Sequence, residues 1–501
     1  MAGARVNALD FSLTNRNNCF LVEDICPDHG EKTLRRVLLF LCLAVIANTT
    51  ALADDVPWAE STVGKSWSYD EALAVSKGDL QSLLDRGKHL FTSKFTDLDG
   101  GGRPKATQAI VPTLRKRGEN PRFQRTSGPD SGACSSCHNE PITGGAGDFV
   151  ANVFVSEGFE SANFDSIDAQ FSNERNTITV TGDGLLELLA REMTAELRLQ
   201  RSAALKQAHQ TKQDVEVMLE TKGVSFGTLI AKPDGVVDVS KLQGIDTDLV
   251  LRPFSRKGVF TSLRQFTINA LNAHHGMQAT ERFGVRWTGT HDFDGDGKPD
   301  EINEGDVSAL TLWQATLSPP VVRTDLPDNW KVAAARGETI FSALGCNSCH
   351  MQNLPLKSLI FSEPGIYDAA GTLRAGDVGE TIKVDLAQRD WASLLKRNDK
   401  GEWLVPLFGD LKRHVIVDEG ADQLGNELMG QRFVERDVFK TAELWGVGST
   451  APYGHRGDIA TLDGVIRAHG GEARDARDAY IKASDEARSD IVAFLKTLVI
   501  K

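Results

Sequence analysis

The sequence carries the pattern C-x-x-C-H twice. It reads "SGACSSCHNE" at Cys134, Cys137 and His138, and "LGCNSCHMQN" at Cys346, Cys349 and His350. Two thiols at this spacing can each form a thioether with one haem vinyl group, and the adjacent imidazole is then placed to ligate the iron. A thioredoxin-like C-x-x-C needs a βαβ context, which neither copy has. Structural zinc pairs lie much closer in sequence than these two. The doubled motif therefore commits the chain to two covalently bound c-type haems, with His138 and His350 as proximal iron ligands.

The other cysteines fit this reading. Cys19, Cys26 and Cys42 fall in an N-terminal stretch that reads as a secretory signal, "LRRVLLFLCLAVIANTTALADD". Arg35 and Arg36 form its basic region, residues 37–46 its apolar core, and Ala51, Leu52 and Ala53 a small-residue cleavage site. The apolar run is too short for a comfortable bilayer span. Residues 1–53 are thus expected to be removed, leaving a periplasmic protein whose remaining cysteines all belong to C-x-x-C-H. Exported chains ordinarily pair their cysteines as disulfides, so this usage is pointed. The formal net charge of −13 argues against a nucleic-acid partner.

The surroundings repeat as well. "DRGKHLF" (residues 85–91) precedes the first motif and "ARGETIF" (residues 335–341) the second, and both resemble the first helix of a cytochrome c domain. "ARSDIVAFLKTLVI" places Ile491, Val492, Phe494, Leu495 and Leu498 on one helical face, a closing helix expected to pack on residues 336–341. Between the motifs, residues 182–221 are rich in helix formers. Residues 226–240 read as a hairpin around Pro233, Asp234 and Gly235. Residues 262–284 are again helical, with an end near Gly276. "LSPPVVRTDLPDNW" reads as a linker. The expected architecture is mainly α: an N-terminal haem domain over 54–320 with inserted helices, a small β element and an acidic loop, then a cytochrome c-like haem domain over 321–501.

That acidic loop, "HDFDGDGKPDEIN", sets Asp292, Asp294 and Asp296 at alternate positions before Gly297. Lys298 offers a carbonyl and Asp300 fills the next position, the pattern of a calcium loop. Asn303 stands where an EF-hand has its closing Glu, with Glu301 or Glu304 as substitutes. "DLDGGG" (Asp97, Asp99) is a weaker echo.

"AELWGVGSTAPYGHRGDIATLDGVIRAHGGEA" resembles the C-terminal haem domain of the bacterial di-haem cytochrome c peroxidase superfamily, through the T-x-P-Y run and His of residues 450–455 and Thr461-Leu462. The "LWG" and "HGGEA" pieces bring it nearest to the di-haem oxidoreductase branch. The resemblance implies a distal ligand for the second haem from the segment after that run: His469, with Met429 as runner-up. Family peroxidases place a distal His soon after the first motif, but none occurs here between His138 and His209. The first iron is therefore expected either to be open or to be capped by the His274, His275, Met277 group. Glu187, Glu192 and His275 are the candidate acid–base groups. Arg252 and Arg264 are candidate partners of haem propionates.

The function implied is a di-haem oxidoreductase of peroxidase type. It would draw electrons from a small cytochrome or cupredoxin and pass them from a low-spin haem to an open haem that binds peroxide or another small oxidant. Two alternatives stand beside it: a non-enzymatic electron-transfer cytochrome, and a di-haem oxidase of an organic or protein substrate.

Overall fold

The haem-motif segments are built from the same parts, as the repeat requires. In a computed structural model describing residues 60–501, apart from 117, 120–131, 155–171 and 428–430, each C-x-x-C-H follows a helix that packs on a partner helix. The first is Leu80–Thr92. Asp79 caps it by accepting from the amides of Gln81 and Ser82, and it buries Leu83, Leu84, Gly87, Leu90 and Phe91 as one stripe. Its partner is Glu304–Ala315, a helix so enclosed that every residue after Glu304 is buried. The second pair is Asp328–Ala343 against Asp485–Leu495.

Glycine sets the approach in both pairs. A methyl at Gly87 would run into the carbonyl of Ala309, and one at Gly337 into the carbonyl of Asp490. The phenylalanine one turn on then packs at an angle beyond the contact: Phe91 on Trp313 at 4.6 Å between ring centroids, Phe341 edge-on to Phe494 at 5.6 Å. The preceding arginines clamp the pairs, Arg86 to Asp306 at 2.9 Å and Arg336 to Asp490 at 2.7 Å. Each pair carries its own apolar core, one around Phe91, Leu271 and Trp313, the other around Phe341, Phe408 and Phe494. The closing helix of the second pair is where the sequence placed it. Its equivalent in the first, Glu304–Ala315, was not anticipated.

Between the two helices of the first pair the chain runs through a long helix, Asp183–Thr211, whose N-terminal half is buried. It packs on an antiparallel three-stranded sheet of Val215–Thr221, Val224–Ala231 and Val237–Leu242. The first strand was expected to be helix. Val215, Val217, Leu219 and Thr221 alternate as a strand does, and Lys222-Gly223, both at positive φ, supply the two-residue hairpin turn. The hairpin around Pro233-Asp234-Gly235 is present as expected. Beyond this, the C-terminal half contributes several short antiparallel pairs, including Arg413–Val415 with Val438–Lys440. The stretch read as a linker pairs Val321–Val322 with Leu498–Val499. The fold is thus mixed helix and strand rather than mainly α, although helices carry both haem motifs. By its contacts Trp58–Lys501 is one compact unit. The signal-like region and its three cysteines lie outside the described residues. No helix among the described residues is long and apolar enough to cross a membrane.

Candidate haem sites

The two motifs adopt one backbone conformation. Cys134–Ser136 and Cys346–Ser348 each form a 3-10 turn, and the second cysteine closes it at φ −107, ψ −42 in the first copy and φ −107, ψ −43 in the second. The histidine amide donates to the first cysteine's carbonyl in both, at 3.0 and 3.1 Å. The turn brings both sulfurs to one wall, and all four thiols are free. His138 lies 6.1 Å from the Phe91 ring and His350 6.3 Å from the Phe341 ring.

The second motif opens on a cavity of about 500 Å³, within the size range of cofactor sites. Phe341, Leu344, Tyr453, Leu462, Val465 and Leu495 give it apolar walls. His350 and His469 both line it. His350 Nδ1 lies 3.1 Å from the Phe408 carbonyl and His469 Nδ1 2.7 Å from the Val465 carbonyl. A carbonyl can only accept, so each Nδ1 carries the proton and each Nε2 keeps its lone pair for a metal. This is the orientation a metal-ligating imidazole requires, with the non-ligating nitrogen anchored. Burial, then the neighbouring His469, pushes the His350 pKa down to about 4, so it stays neutral at ordinary pH. Free thiols on one wall, two oriented imidazoles and an apolar cavity fit a covalent haem held by His350 and His469. Met429, the other candidate, lies outside the described residues.

Sequence reasoning missed His414, which lines the same cavity. Its Nε2 is 2.8 Å from Asp410 Oδ2 and its Nδ1 2.7 Å from Glu472 Oε2. Burial works against its charge, but hydrogen bonding to Asp410 outweighs it and lifts the pKa to about 11. The same contacts, together with the Cys349 sulfur, favour the charged form of His414 at this wall of the cavity. The only sequence signal was a His four residues after an Asp. His455, from the T-x-P-Y segment, also lines this cavity. Burial, then Arg175 and Lys257, drives its pKa down to about 2, so it is neutral.

The first motif faces a smaller cavity of about 150 Å³ among the described residues. Its walls include Phe91, Phe266 and Leu310, and the polar groups Asn269, Gln314, His274 and His275. His275 is buried, with Nε2 3.4 Å from Cys134 Sγ and its ring 5.4 Å from Phe95. The helix Leu263–Ala270 delivers both histidines. It widens into a π turn over Leu271–His275 and stops at Gly276, φ +69, where the sequence placed its end. Met277 is buried in the apolar core instead. Cys134, Cys137, His138 and His275 are the groups a second covalent haem would use, in a cavity whose described walls enclose less volume than the second.

The other candidates lie elsewhere. Glu187 lines neither cavity. Arg191 holds one of its oxygens and the Leu263 amide the other, at 2.8 Å. Glu192 pairs with Lys222 at 2.7 Å and accepts from the Lys357 amide at 3.0 Å. Of the three proposed acid–base groups, the structure brings only His275 to a haem cavity. Arg252 pairs with Asp246 and Asp248, and Arg264 with Glu281 and Glu363. The arginine that does border both cavities is Arg256, a residue not singled out in the sequence. The Asn176 amide also donates to the His455 carbonyl at 2.8 Å, joining a wall of one cavity to a wall of the other.

The acidic loop is a separate site. Asp292, Asp294 and Asp296 set one carboxylate oxygen each within 4.8 Å of one another. Asp300 points away to His291 Nδ1 at 2.8 Å, and the Lys298 amide donates to Asp296 Oδ1 at 2.6 Å. Burial, then the charge of Asp296, raises Asp294 to about 8, and burial followed by Asp294 lifts Glu301 well above the carboxylate range. Asp99 of the weaker echo is already satisfied by the amides of Thr62, Val63 and Thr96.

Residues 408–498 match the family described as "Di-haem oxidoreductase, putative peroxidase". That stretch contains His414, the T-x-P-Y run, His469 and the closing helix, so the resemblance expected from the sequence is borne out there. No curated protein matches the chain. Among solved structures, a MauG-like protein associated with microbial copper homeostasis is 16% identical over 53% of this chain and 77% of that chain, with a TM-score of 0.24. So low a score bears on neither fold nor function.

Proposed function

We propose that this chain is an exported di-haem c-type oxidoreductase of peroxidase type, taking electrons at its C-terminal haem and using them at its N-terminal one. The observation that carries the reading is the contrast between the two cavities. In the second, His350 and His469 are both anchored through Nδ1 with Nε2 free, a pair suited to a six-coordinate, low-spin iron. In the first, His138 shares the cavity with Asn269, Gln314 and His275. Bound haem supplies one-electron storage in both sites and, where its iron is open, a place for peroxide.

The residues supply the rest. Cys134, Cys137, Cys346 and Cys349 fix the porphyrins against loss by dilution in the periplasm. His275 Nε2 is placed to hold or release a proton beside an oxidant, in a site shielded by Phe91, Phe95 and Phe266. Arg256 borders both cavities and offers a cation to propionates from either side. The net negative charge favours a donor with a basic docking face, a small cytochrome or cupredoxin.

The test is the resting spectrum of the purified holoprotein, followed by turnover. Expected are two covalent haems per chain by mass, one low-spin and one high-spin ferric signal, and peroxide consumption with a reduced donor cytochrome. Two low-spin signals without turnover would favour the electron-carrier reading, with His274 or His275 capping the first iron, since both line that cavity. A high-spin signal without peroxide consumption would leave the oxidase of an organic or protein substrate.

A further inference from the structure

The acidic loop brings three carboxylates together and leaves a buried oxygen of Asp294 without a donor. Asp294 is fully buried and Asp296 nearly so, and their carboxylates converge with that of Asp292. No hydrogen-bond donor reaches Asp294 Oδ2. A buried carboxylate oxygen without a donor is costly unless a cation meets it. Glu301, the residue after Asp300, is buried as well. Lys105 reaches over Gly295 at the rim, but its ammonium sits 3.7 Å from Glu119. Asp292 is held in the ligand-presenting turn by the amides of Gly295 and Gly297, at 2.8 and 3.0 Å.

We infer that Asp292, Asp294, Asp296 and Glu301 bind one Ca²⁺, and that this ion braces the turn carrying His274 and His275 into the first cavity. Three converging carboxylates around a tight glycine turn, with Glu301 drawn in as a fourth, suit Ca²⁺, which accepts six to eight oxygens in flexible geometry, better than Mg²⁺ with its strict octahedron. Glu301 does the work that Asp300 and the closing position, Asn303, do not.

The bracing follows from what the loop touches. Glu301 Oε2 accepts from the Gln278 amide at 2.6 Å, and the next residue, Ile302, accepts from the Thr280 amide at 2.9 Å. On the other side, the Asp294 carbonyl accepts from the Lys105 amide at 2.9 Å. The same 96–108 segment then reaches the histidine turn: Gly102 N donates to the His275 carbonyl at 3.2 Å and Gln108 Nε2 to the Ala273 carbonyl at 3.0 Å. The histidine turn is thus tied to the ion site by two routes. A cation that cancels the carboxylates' repulsion fixes both anchors. The consequence for the first iron rests on the haem reading above; the ion site and the bracing do not.

The experiment uses the full mature holoprotein, stripped with EGTA and titrated with Ca²⁺, with Mg²⁺ as a competitor. Expected is one Ca²⁺ per chain by elemental analysis and calorimetry, not displaced by millimolar Mg²⁺. Asp294→Asn should lose it, whereas Asp300→Asn should keep it. Amide exchange over residues 274–280 should rise severalfold in the stripped wild type and fall again on adding Ca²⁺, with the second-haem spectrum unchanged. No bound Ca²⁺, or equal binding by Asp294→Asn, overturns the site. Binding with unchanged exchange at 274–280 overturns the bracing. Because stripped wild type is itself an arm, poor folding of a variant does not decide the result.

Discussion

Arg264 lies at the start of the helix that ends in His274 and His275, and it is completely buried. Its donors are all used: Nε and Nη2 grip Glu281 at 3.0 and 2.8 Å, Nη1 meets Ser308 at 2.8 Å and Glu363, and Nη2 also reaches the Glu304 carbonyl at 3.0 Å. Glu363 belongs to the C-terminal half, so this one guanidinium bolts the first-haem helix to it. Arg264→Met keeps much of the volume but leaves two buried carboxylates without their cation. Removing one partner of a buried pair costs about 3–5 kcal/mol, roughly a hundred- to several-thousand-fold in the folded-to-unfolded ratio. The pH dependence has a definite sign. Glu363 already sits near 7, because burial outweighs Arg264. A carboxyl raised in the folded state holds a proton the unfolded chain has released, so its share of stability is present below about 4.5 and is lost as pH rises to about 7. Without Arg264 the Glu363 carboxyl rises further and the window widens upward. The variant's deficit in urea unfolding should therefore be larger at pH 8 than at pH 5, and Glu281→Gln with Glu363→Gln should recover most of it. A deficit below about 1 kcal/mol at both pH values would refute the reasoning, since exposed ion pairs are worth about that little.

Gly337→Ala drives a methyl into the Asp490 carbonyl and should cost about 1–3 kcal/mol by overpacking, read as a lower thermal midpoint with disturbance of the second haem's spectrum only; Gly87→Ala should do the same at the first. His469→Ala should convert the second haem from low to high spin, while external imidazole restores the low-spin spectrum; an unchanged spectrum would place the sixth ligand elsewhere. His414, lifted to about 11 by Asp410 against burial, contributes stability that is fully present below about 6.5 and lost as pH rises towards 11. The gap in thermal midpoint between wild type and His414→Gln should accordingly shrink from neutral to alkaline pH. A gap that stays constant would mean the imidazole is already neutral.

What the sequence made legible was local. The C-x-x-C-H turns, the R-G-x-x-x-F helices, the helix end at Gly276 and the hairpin at Pro233-Asp234-Gly235 are each set by residues a few positions apart, so periodicity and turn chemistry disclose them. His469 was placed in the second cavity's wall by resemblance, and the structure puts it there with its Nδ1 anchored. What failed was long-range. Glu187 looked available on a helix of mixed charge, but it is fixed by Arg191 and by the amide of Leu263. Val215–Thr221 was absorbed into the preceding helix because its glutamates fit a helical composition, whereas packing beneath Asp183–Thr211 decides for a strand. His414 went unread because an Asp four residues earlier is a common spacing, and its second carboxylate comes from Glu472, beyond any local window.

The same division explains why the second haem site reads so much more plainly than the first. Helix Asp328–Ala343, the second motif, the cavity wall at His469 and the closing helix Asp485–Leu495 follow one another in the C-terminal third, where the family match also lies. The first site has equivalent parts, down to the glycine contact and the packed aromatic. Its closing helix, however, is Glu304–Ala315, separated from Leu80–Thr92 by the Asp183–Thr211 helix, a three-stranded sheet and the acidic loop. Its cavity is therefore walled by stretches that only tertiary packing brings together: the motif, residues 175–180, the Leu263–His275 helical segment and Leu310. A ligand set so assembled can be altered by anything that moves one stretch, whether a lost guanidinium at Arg264 or an empty acidic loop. The second site draws all of its described lining except Arg256 from residues 341–495 and so depends less on either. Perturbations in the insertion should then change the spectrum of one haem and spare the other, and that asymmetry follows from chain connectivity before any chemistry is invoked.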